Sequence, residues 1–304
     1  SQARAPISNG GVVAGLLVIA LLALLAGGLL LRDIDVEDDV VIIAHRGAAG
    51  AAPENTLAAV RLAIEDGADW VEIDVQESRD GHVVVIHDSD FMKLAGVPLK
   101  VWEGSLDRIQ SIDVGSWFDP RFAGERVPTL QQVLAEVKGR SKLFIELKYY
   151  GHDQQLEQRV VDIVEAEDMA DDVVVMSLKP EGVESLKALR PDWTAGLLSA
   201  TAVGDLSKLD VDFLAVKQTM ASSAFVRRAH RAGKRVFVWT INDALSLSHW
   251  MSAGVDGVIT DEPALASDIL EQRSELNSAE RLLLSAALFF GKPELLQQYR
   301  DDSP

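Results

Sequence analysis

The sequence predicts an α/β protein: a TIM (β/α)8 barrel with a β-hairpin and an insertion near its active site, preceded by one transmembrane helix. Three observations lead there. From Val40 onward, short β-branched runs alternate with segments of helical periodicity. Several of those runs are apolar on both faces, as parallel strands covered by helices are. An uncharged apolar run, Gly11 to Leu31, stands ahead of them.

That first run, "GVVAGLLVIALLALLAGGLLL", is long enough to cross a hydrocarbon core of ~30 Å as a helix. Arg4 and Arg32 bracket it. A secretory signal peptide fits less well, because the run exceeds the usual apolar region and no A-x-A site follows. A lipoprotein anchor needs a cysteine, and the chain has none. A buried core helix ranks third. Residues 1–10 are then a flank, 11–31 a transmembrane helix in contact with the lipid bilayer, and 32–39 an acidic linker. Arg4 and the terminal amine favour a cytoplasmic N-terminus, so the barrel is expected outside the cytoplasm. Spans ahead of residue 1 would set the topology instead.

The barrel is expected over 40–272. Strand candidates are 40–44, 69–75, 82–87, 142–147, 173–177, 194–199, 212–216, 236–240 and 256–260, with helical segments at 54–66, 129–138, 155–168, 180–189, 222–232 and 243–253. In "AIEDGADWVEI", "AHRAGKRVFVW" and "WMSAGVDGVIT" a glycine follows the last helical turn and a strand begins soon after. Glycine there accepts the left-handed conformation that closes a helix. Nine strands exceed eight βα units by one. "HVVVIH" follows "VEIDVQES" after only "RDG", too short for a parallel crossover and suited to a hairpin. A turn centred near Asp80 sets His87 opposite Asp74, one step from Glu72. Residues 88–128 read as an insertion with a short helix at 105–112, of the kind that shapes a substrate site. The tail, 273–304, contains "ERLLLSAALFFGKPELL", too short to span a bilayer; a helix packing on the barrel is favoured over an interfacial one.

Composition narrows the function. Of 304 residues 48% are hydrophobic and 25% charged, enough for a large core, with a formal charge of −18 and a pI near 4.7. No basic cluster suited to nucleic-acid phosphates occurs, so no nucleic-acid partner is expected. Without cysteine there is no disulfide, thiolate zinc site or thiol nucleophile. No Walker loop, dinucleotide GxGxxG, G-x-S-x-G elbow or HExxH is found.

Chemistry in such a barrel sits where strands end. Glu72 and Asp74 are two apart and share one side of a strand, and Glu146 ends another. Alone, "EID" reads as solvent-facing alternation. A parallel barrel strand has no wet face, so its charges must be paired or metal-bound. Three carboxylates without cysteine suit a hard divalent cation, Mg²⁺ or Ca²⁺. His45 and His87 supply two imidazoles, the side chain best suited to an acid–base pair at physiological pH. Arg46 and Lys148 suit phosphate oxygens, and salt-bridging to the carboxylates is compatible with that. Trp239 is a pocket wall or barrel packing. His82, His152, His230 and His249 read as structural. The inventory fits displacement at phosphorus, where positioning and charge neutralisation do most of the work.

"AHRG", "PENT", "VEIDV", "VVIHD", "FAGERVPTLQQVL", "IELK", "VWTIND" and "DGVITD", in this order, resemble the glycerophosphodiester phosphodiesterase family, and the span before the barrel resembles its membrane-anchored branch. The resemblance implies a TIM-barrel hydrolase that cleaves glycerophosphodiesters, its small-molecule substrates, to sn-glycerol 3-phosphate and an alcohol. It implies His45 and His87 as acid and base, Glu72, Asp74 and Glu146 as metal ligands, and Arg46 and Lys148 at the phosphate. It also implies that Glu54 and Asn55 lie near the site, with roles it leaves open. The nucleophile would be the neighbouring glycerol hydroxyl, through a cyclic phosphate; direct attack by water held at the metal is the other route. Where the family often has an Arg-Thr pair after "HD", this chain has "SDFMKLAGVPLKVWEG", which bears on head-group selectivity. Two other readings are phospholipase-D-like hydrolysis of lysophospholipids and a non-catalytic membrane-linked binding module.

Overall fold

Alternate residues of a barrel strand face inward, and this rule accounts for both the core and the site. The computed structural model describes residues 40–201, 204–276 and Glu280. The expected flank, transmembrane helix and acidic linker lie outside the described residues, as does most of the tail. Among the described residues no helix is long and apolar enough to cross a membrane.

Eight parallel strands close the barrel: β1 (Val41–Ala44), β2 (Trp70–Glu77), β6 (Lys142–Leu147), β7 (Val173–Ser177), β8 (Ala195–Ser199), β9 (Phe213–Lys217), β10 (Arg235–Trp239) and β11 (Gly257–Thr260). They follow one another in chain order, and β1 pairs with both β11 and β2 to complete the ring. Helices α1 (Leu57–Glu65), α4 (Leu130–Val137), α5 (Leu156–Ala166), α6 (Pro180–Leu189), α7 (Ser223–Arg231), α8 (Ala244–Ser252) and α9 (Pro263–Ser274) make the outer layer. The β8–β9 connection carries a 3-10 turn, Leu206–Lys208, where the repeating unit would have a helix. Helix α9 runs two residues past the expected barrel end at 272.

Local chemistry sets the boundaries. The hydroxyls of Thr56 and Thr129 accept the Ala59 and Gln132 amide hydrogens and cap α1 and α4, the second as a full capping box. Gly67, Gly233 and Gly254 take φ of 79°, 74° and 73° after α1, α7 and α8, as the three glycine junctions predicted.

The outward rows of the strands pack under the helices in one continuous cluster. The inward rows hold a smaller one that includes Ile43, Phe144, Phe213 and Phe237. The three phenylalanine rings sit with centroids 5.1–5.4 Å apart and plug the barrel. Gly196 makes room for the plug, since a Cβ there would lie 2.2 Å from the Phe213 ring.

The short strand β3 (Val83–Val85) returns antiparallel on β2, as the hairpin predicted. The register is one residue off the expected one. Val75 faces Val85, and the Ile86 amide donates to the Asp74 carbonyl, so Ile86 and not His87 lies opposite Asp74. The insertion also departs from the reading without strands. β4 (Asp90–Phe91) and β5 (Val97–Lys100) form a two-stranded sheet around α2 (Met92–Ala95), followed by α3 (Leu106–Gln110). Strands of two and four residues are too short to show alternation. Ile86, Phe91, Val101 and Ile109 give the insertion a core of its own.

Gly196→Ala is expected to overpack the plug and cost about 1–3 kcal/mol. A lower urea midpoint with an unchanged slope checks this; an unaltered midpoint would show that Phe213 repacks freely.

Candidate active site

The "AHRG" segment ends β1 in a turn that needs its glycine. Arg46 and Gly47 have φ of 52° and 80°, and a Cβ on Gly47 would lie 2.6 Å from the Ala59 backbone of α1. That turn aims the Arg46 amide at Glu72, donating to Oε2 at 2.8 Å. Asn55, at φ 58°, reaches back to β2. Its Nδ2 donates to Asp74 Oδ2 at 2.8 Å, while its Oδ1 accepts the Asp74 amide at 3.1 Å.

Glu72 and Asp74 on β2 and Glu146 on β6 each offer an oxygen within 4.8 Å of the others, and all three are buried. The register sets Asp74 beside Glu146. Lys148 Nζ, also buried, lies 3.0 Å from Glu146 Oε1 and 3.6 Å from Asp74 Oδ1. The Arg46 guanidinium bonds Glu54 at 3.0 Å and lies 3.4 Å from Asp74. Lys93 holds the other oxygen of Glu54 at 3.0 Å.

Crowding the acids splits their proton affinities. Burial, then the Asp74 charge, pushes Glu72 up to about 8. Burial opposes ionisation of Asp74 too, but His87, Lys148, Arg46 and the Asn55 amide hold it well below the usual carboxylate range. Burial raises Glu146, with Lys148 resisting. Burial likewise disfavours the charge on Lys148, and Glu146 and Asp74 overcome it, so the ammonium is held above its ordinary value.

Each site histidine leans on an aspartate. His45 Nδ1 lies 2.6 Å from Asp261 Oδ1 and His87 Nδ1 lies 2.7 Å from Asp88 Oδ1. A carboxylate at Nδ1 favours the tautomer with its proton there and leaves Nε2 to a ligand. Asn242 Nδ2 donates to Asp261 Oδ2 at 2.5 Å, and its Oδ1 accepts the Asp261 amide at 2.9 Å. Burial works against a charged His45 ring, and the Asp261 charge more than offsets it, so His45 is raised overall.

A cavity of about 300 Å³ at the C-terminal end of the strands brings together His45, Arg46, Glu72, His87, Glu146, Lys148 and Trp239. Met176, Leu198 and Ile259 form its apolar wall. Of the predicted site residues only Asp74 is absent from this lining; it lies beneath, within the carboxylate cluster. Trp239 is both wall and packing: it touches the inner core, and its Nε1 donates to the Ala215 carbonyl at 3.2 Å. His82, His152, His230 and His249 stand apart from the cavity, as expected. The role of Asp261 was not read from the sequence. The available signal was an acid directly after β11, the strand that neighbours β1 in a closed barrel.

The residues fit a divalent cation. Glu72 Oε1 is buried with no hydrogen-bond partner, an orphaned oxygen within a set of hard oxygen donors. A cation needs these groups ionised, and Glu72 holds a proton until about pH 8. Affinity for Mg²⁺ or Ca²⁺ should therefore climb as pH rises toward 8, by up to about tenfold per unit, and then level off. Proton release in calorimetric titrations checks the sign; affinity independent of pH between 6 and 8 would refute it. Asn55→Ala should weaken binding by about 10–100-fold, since it strips Asp74 of its partner.

Comparison with known proteins agrees with the motifs. The profile of the glycerophosphoryl diester phosphodiesterase family matches residues 45–265. YhdW of Bacillus subtilis is 34% identical over 231 residues, 73% of this chain and 94% of that protein. A glycerophosphodiester phosphodiesterase of Caldanaerobacter subterraneus is 31% identical over 233 residues, covering 73% and 94%. Among solved structures, an Oleispira antarctica phosphodiesterase in complex with the product sn-glycerol-3-phosphate superposes with a TM-score of 0.72 at 29% identity, covering 76% of this chain and 96% of that one. An enzyme fold, an acid cluster and two aspartate-backed histidines thus meet in one cavity, and the chain belongs to the glycerophosphoryl diester phosphodiesterase family.

Proposed function

We propose that this chain hydrolyses glycerophosphodiesters to sn-glycerol 3-phosphate and an alcohol, in a divalent-metal-dependent reaction with His45 and His87 as the acid–base pair. The observation that carries the reading is one cavity bordered by both imidazoles and by the buried carboxylates. The Oleispira antarctica relative, complexed with sn-glycerol-3-phosphate, supports the substrate class.

Charge explains why a dication belongs to the reading. With a proton on Glu72, Asp74 and Glu146 offset the charges of Arg46 and Lys148, so the bare site has no positive charge to spare for a phosphodiester anion. Glu72, Asp74 and Glu146 would hold a divalent ion, which would supply positive charge and Lewis-acid character for the phosphoryl group. Arg46 and Lys148 add hydrogen bonds to those oxygens as negative charge builds on them. One imidazole takes the proton of the attacking hydroxyl as its oxygen bonds to phosphorus. The other gives a proton to the alcohol oxygen as its bond to phosphorus breaks. Asp261 and Asp88 hold the two rings at Nδ1, which keeps Nε2 of each for these transfers. Attack by water completes the reaction in one displacement; attack by the neighbouring glycerol hydroxyl takes two, and the rings exchange roles in the second, when water opens the cyclic phosphate. The uncharged run at residues 11–31 supports a tether to the bilayer, with the barrel outside the cytoplasm.

Glycerol 3-phosphate release from glycerophosphodiesters tests the proposal. Chelator should abolish it, and His45→Ala or His87→Ala should each lower kcat by about 10²–10⁴-fold. Turnover that survives both treatments would overturn the mechanism.

A further inference from the structure

A second cavity of about 470 Å³ adjoins the first, and the two share His87, Glu146, Lys148 and Leu178 as a common wall. A phosphodiester has two arms. An anion placed at Lys148 can extend one arm into each cavity. The inner cavity is walled by barrel strands and suits the arm common to all substrates. The second opens toward the insertion, between Met92, Tyr150 and Lys179, where this chain departs from the family pattern after "HD".

The chemistry of that second cavity is selective. Its acids are already engaged: Asp88 bonds His87, Asp90 bonds Lys100 at 2.6 Å, and Glu146 bonds Lys148. Two tyrosines line it: the Lys179 ammonium sits 5.3 Å from the Tyr149 ring centroid, and Tyr150 leans toward Trp102 at 6.2 Å. One remaining tyrosine face makes no aromatic cage for a quaternary ammonium. Lys179 is exposed and makes no ion pair among the described residues, so its charge faces whatever enters. Hydroxyl partners are on offer. Ser89 Oγ accepts from Lys100, which leaves its O–H to donate, and Asp88 keeps Oδ2 as an acceptor.

We propose that the second cavity is the subsite for the departing alcohol, and that Lys179 makes it select polyols over quaternary ammonium alcohols. The assignment rests on the phosphodiesterase reading above. Met92 and Leu178, both exposed, cover the C–H faces of a polyol, and Ser89, Asp88 and Lys179 meet its hydroxyls.

The test compares kcat/KM for glycerophosphoinositol and glycerophosphocholine, using the full chain in detergent and its Lys179→Glu variant. The unaltered protein should favour the inositol diester. Lys179→Glu should shift the ratio toward choline by about tenfold at low salt, while inhibition by sn-glycerol 3-phosphate, which fills the inner cavity, stays within about twofold. A ratio unmoved by Lys179→Glu, or one that moves only together with product inhibition, would overturn the subsite. Calorimetric binding of both diesters separates the two ideas. Lysine-dependent selective binding without any turnover would sink the phosphodiesterase reading and leave the subsite standing. Turnover without that selectivity would do the reverse.

Discussion

Burying three carboxylates at the ends of two adjacent parallel strands is the constraint on which the site depends. Glu72, Asp74 and Glu146 continue the inward rows of β2 and β6 above a plug of phenylalanines, buried where little water reaches their charge. Such a cluster persists only with compensation. The chain supplies part of it through Lys148, Arg46, the Arg46 amide and the Asn55 side chain. The remainder is an orphaned Glu72 oxygen in a set of three buried acids, a donor set that fits a divalent cation.

The same rows explain why fold and site do not compete. The lower inward positions are apolar and aromatic and hold the barrel together; the next turns of those strands carry the charged groups. The loops then fix side-chain direction with backbone rather than bulk. Arg46 and Asn55 adopt left-handed conformations that plain strand residues would avoid, and each uses that geometry to bond an acid on β2. The two histidines are held by different parts of the chain, one by Asp261 after β11 and one by its own neighbour Asp88.

Much of this was legible in the sequence because period and spacing carry it. The runs at 142–147 and 173–177 are strands over those same residues, and the hairpin followed from a linker too short to cross over. Glu72, Glu146, both histidines and both cations were read as one constellation, and one cavity collects them, with Asp74 in the acid cluster beside it. What stayed hidden was pairing across distance. Asp261 lies 216 residues from the ring it holds, and no local pattern announces that bond. The hairpin register slipped because the turn residues permit two alignments, and side-chain pairing decides between them only in the fold. The insertion's strands were too short for alternation, and the Lys179 pocket arises where three separate segments, after β3, β6 and β7, meet.

If Glu72, Asp74 and Glu146 cage one divalent ion beside the two imidazoles, a crystal of the full chain soaked in Mn²⁺ will show it by anomalous scattering. A single strong peak is expected within coordination distance of those three acids, on the cavity that His45 and His87 share. A map with no peak there, or with the ion bound elsewhere on this acidic surface, would contradict it.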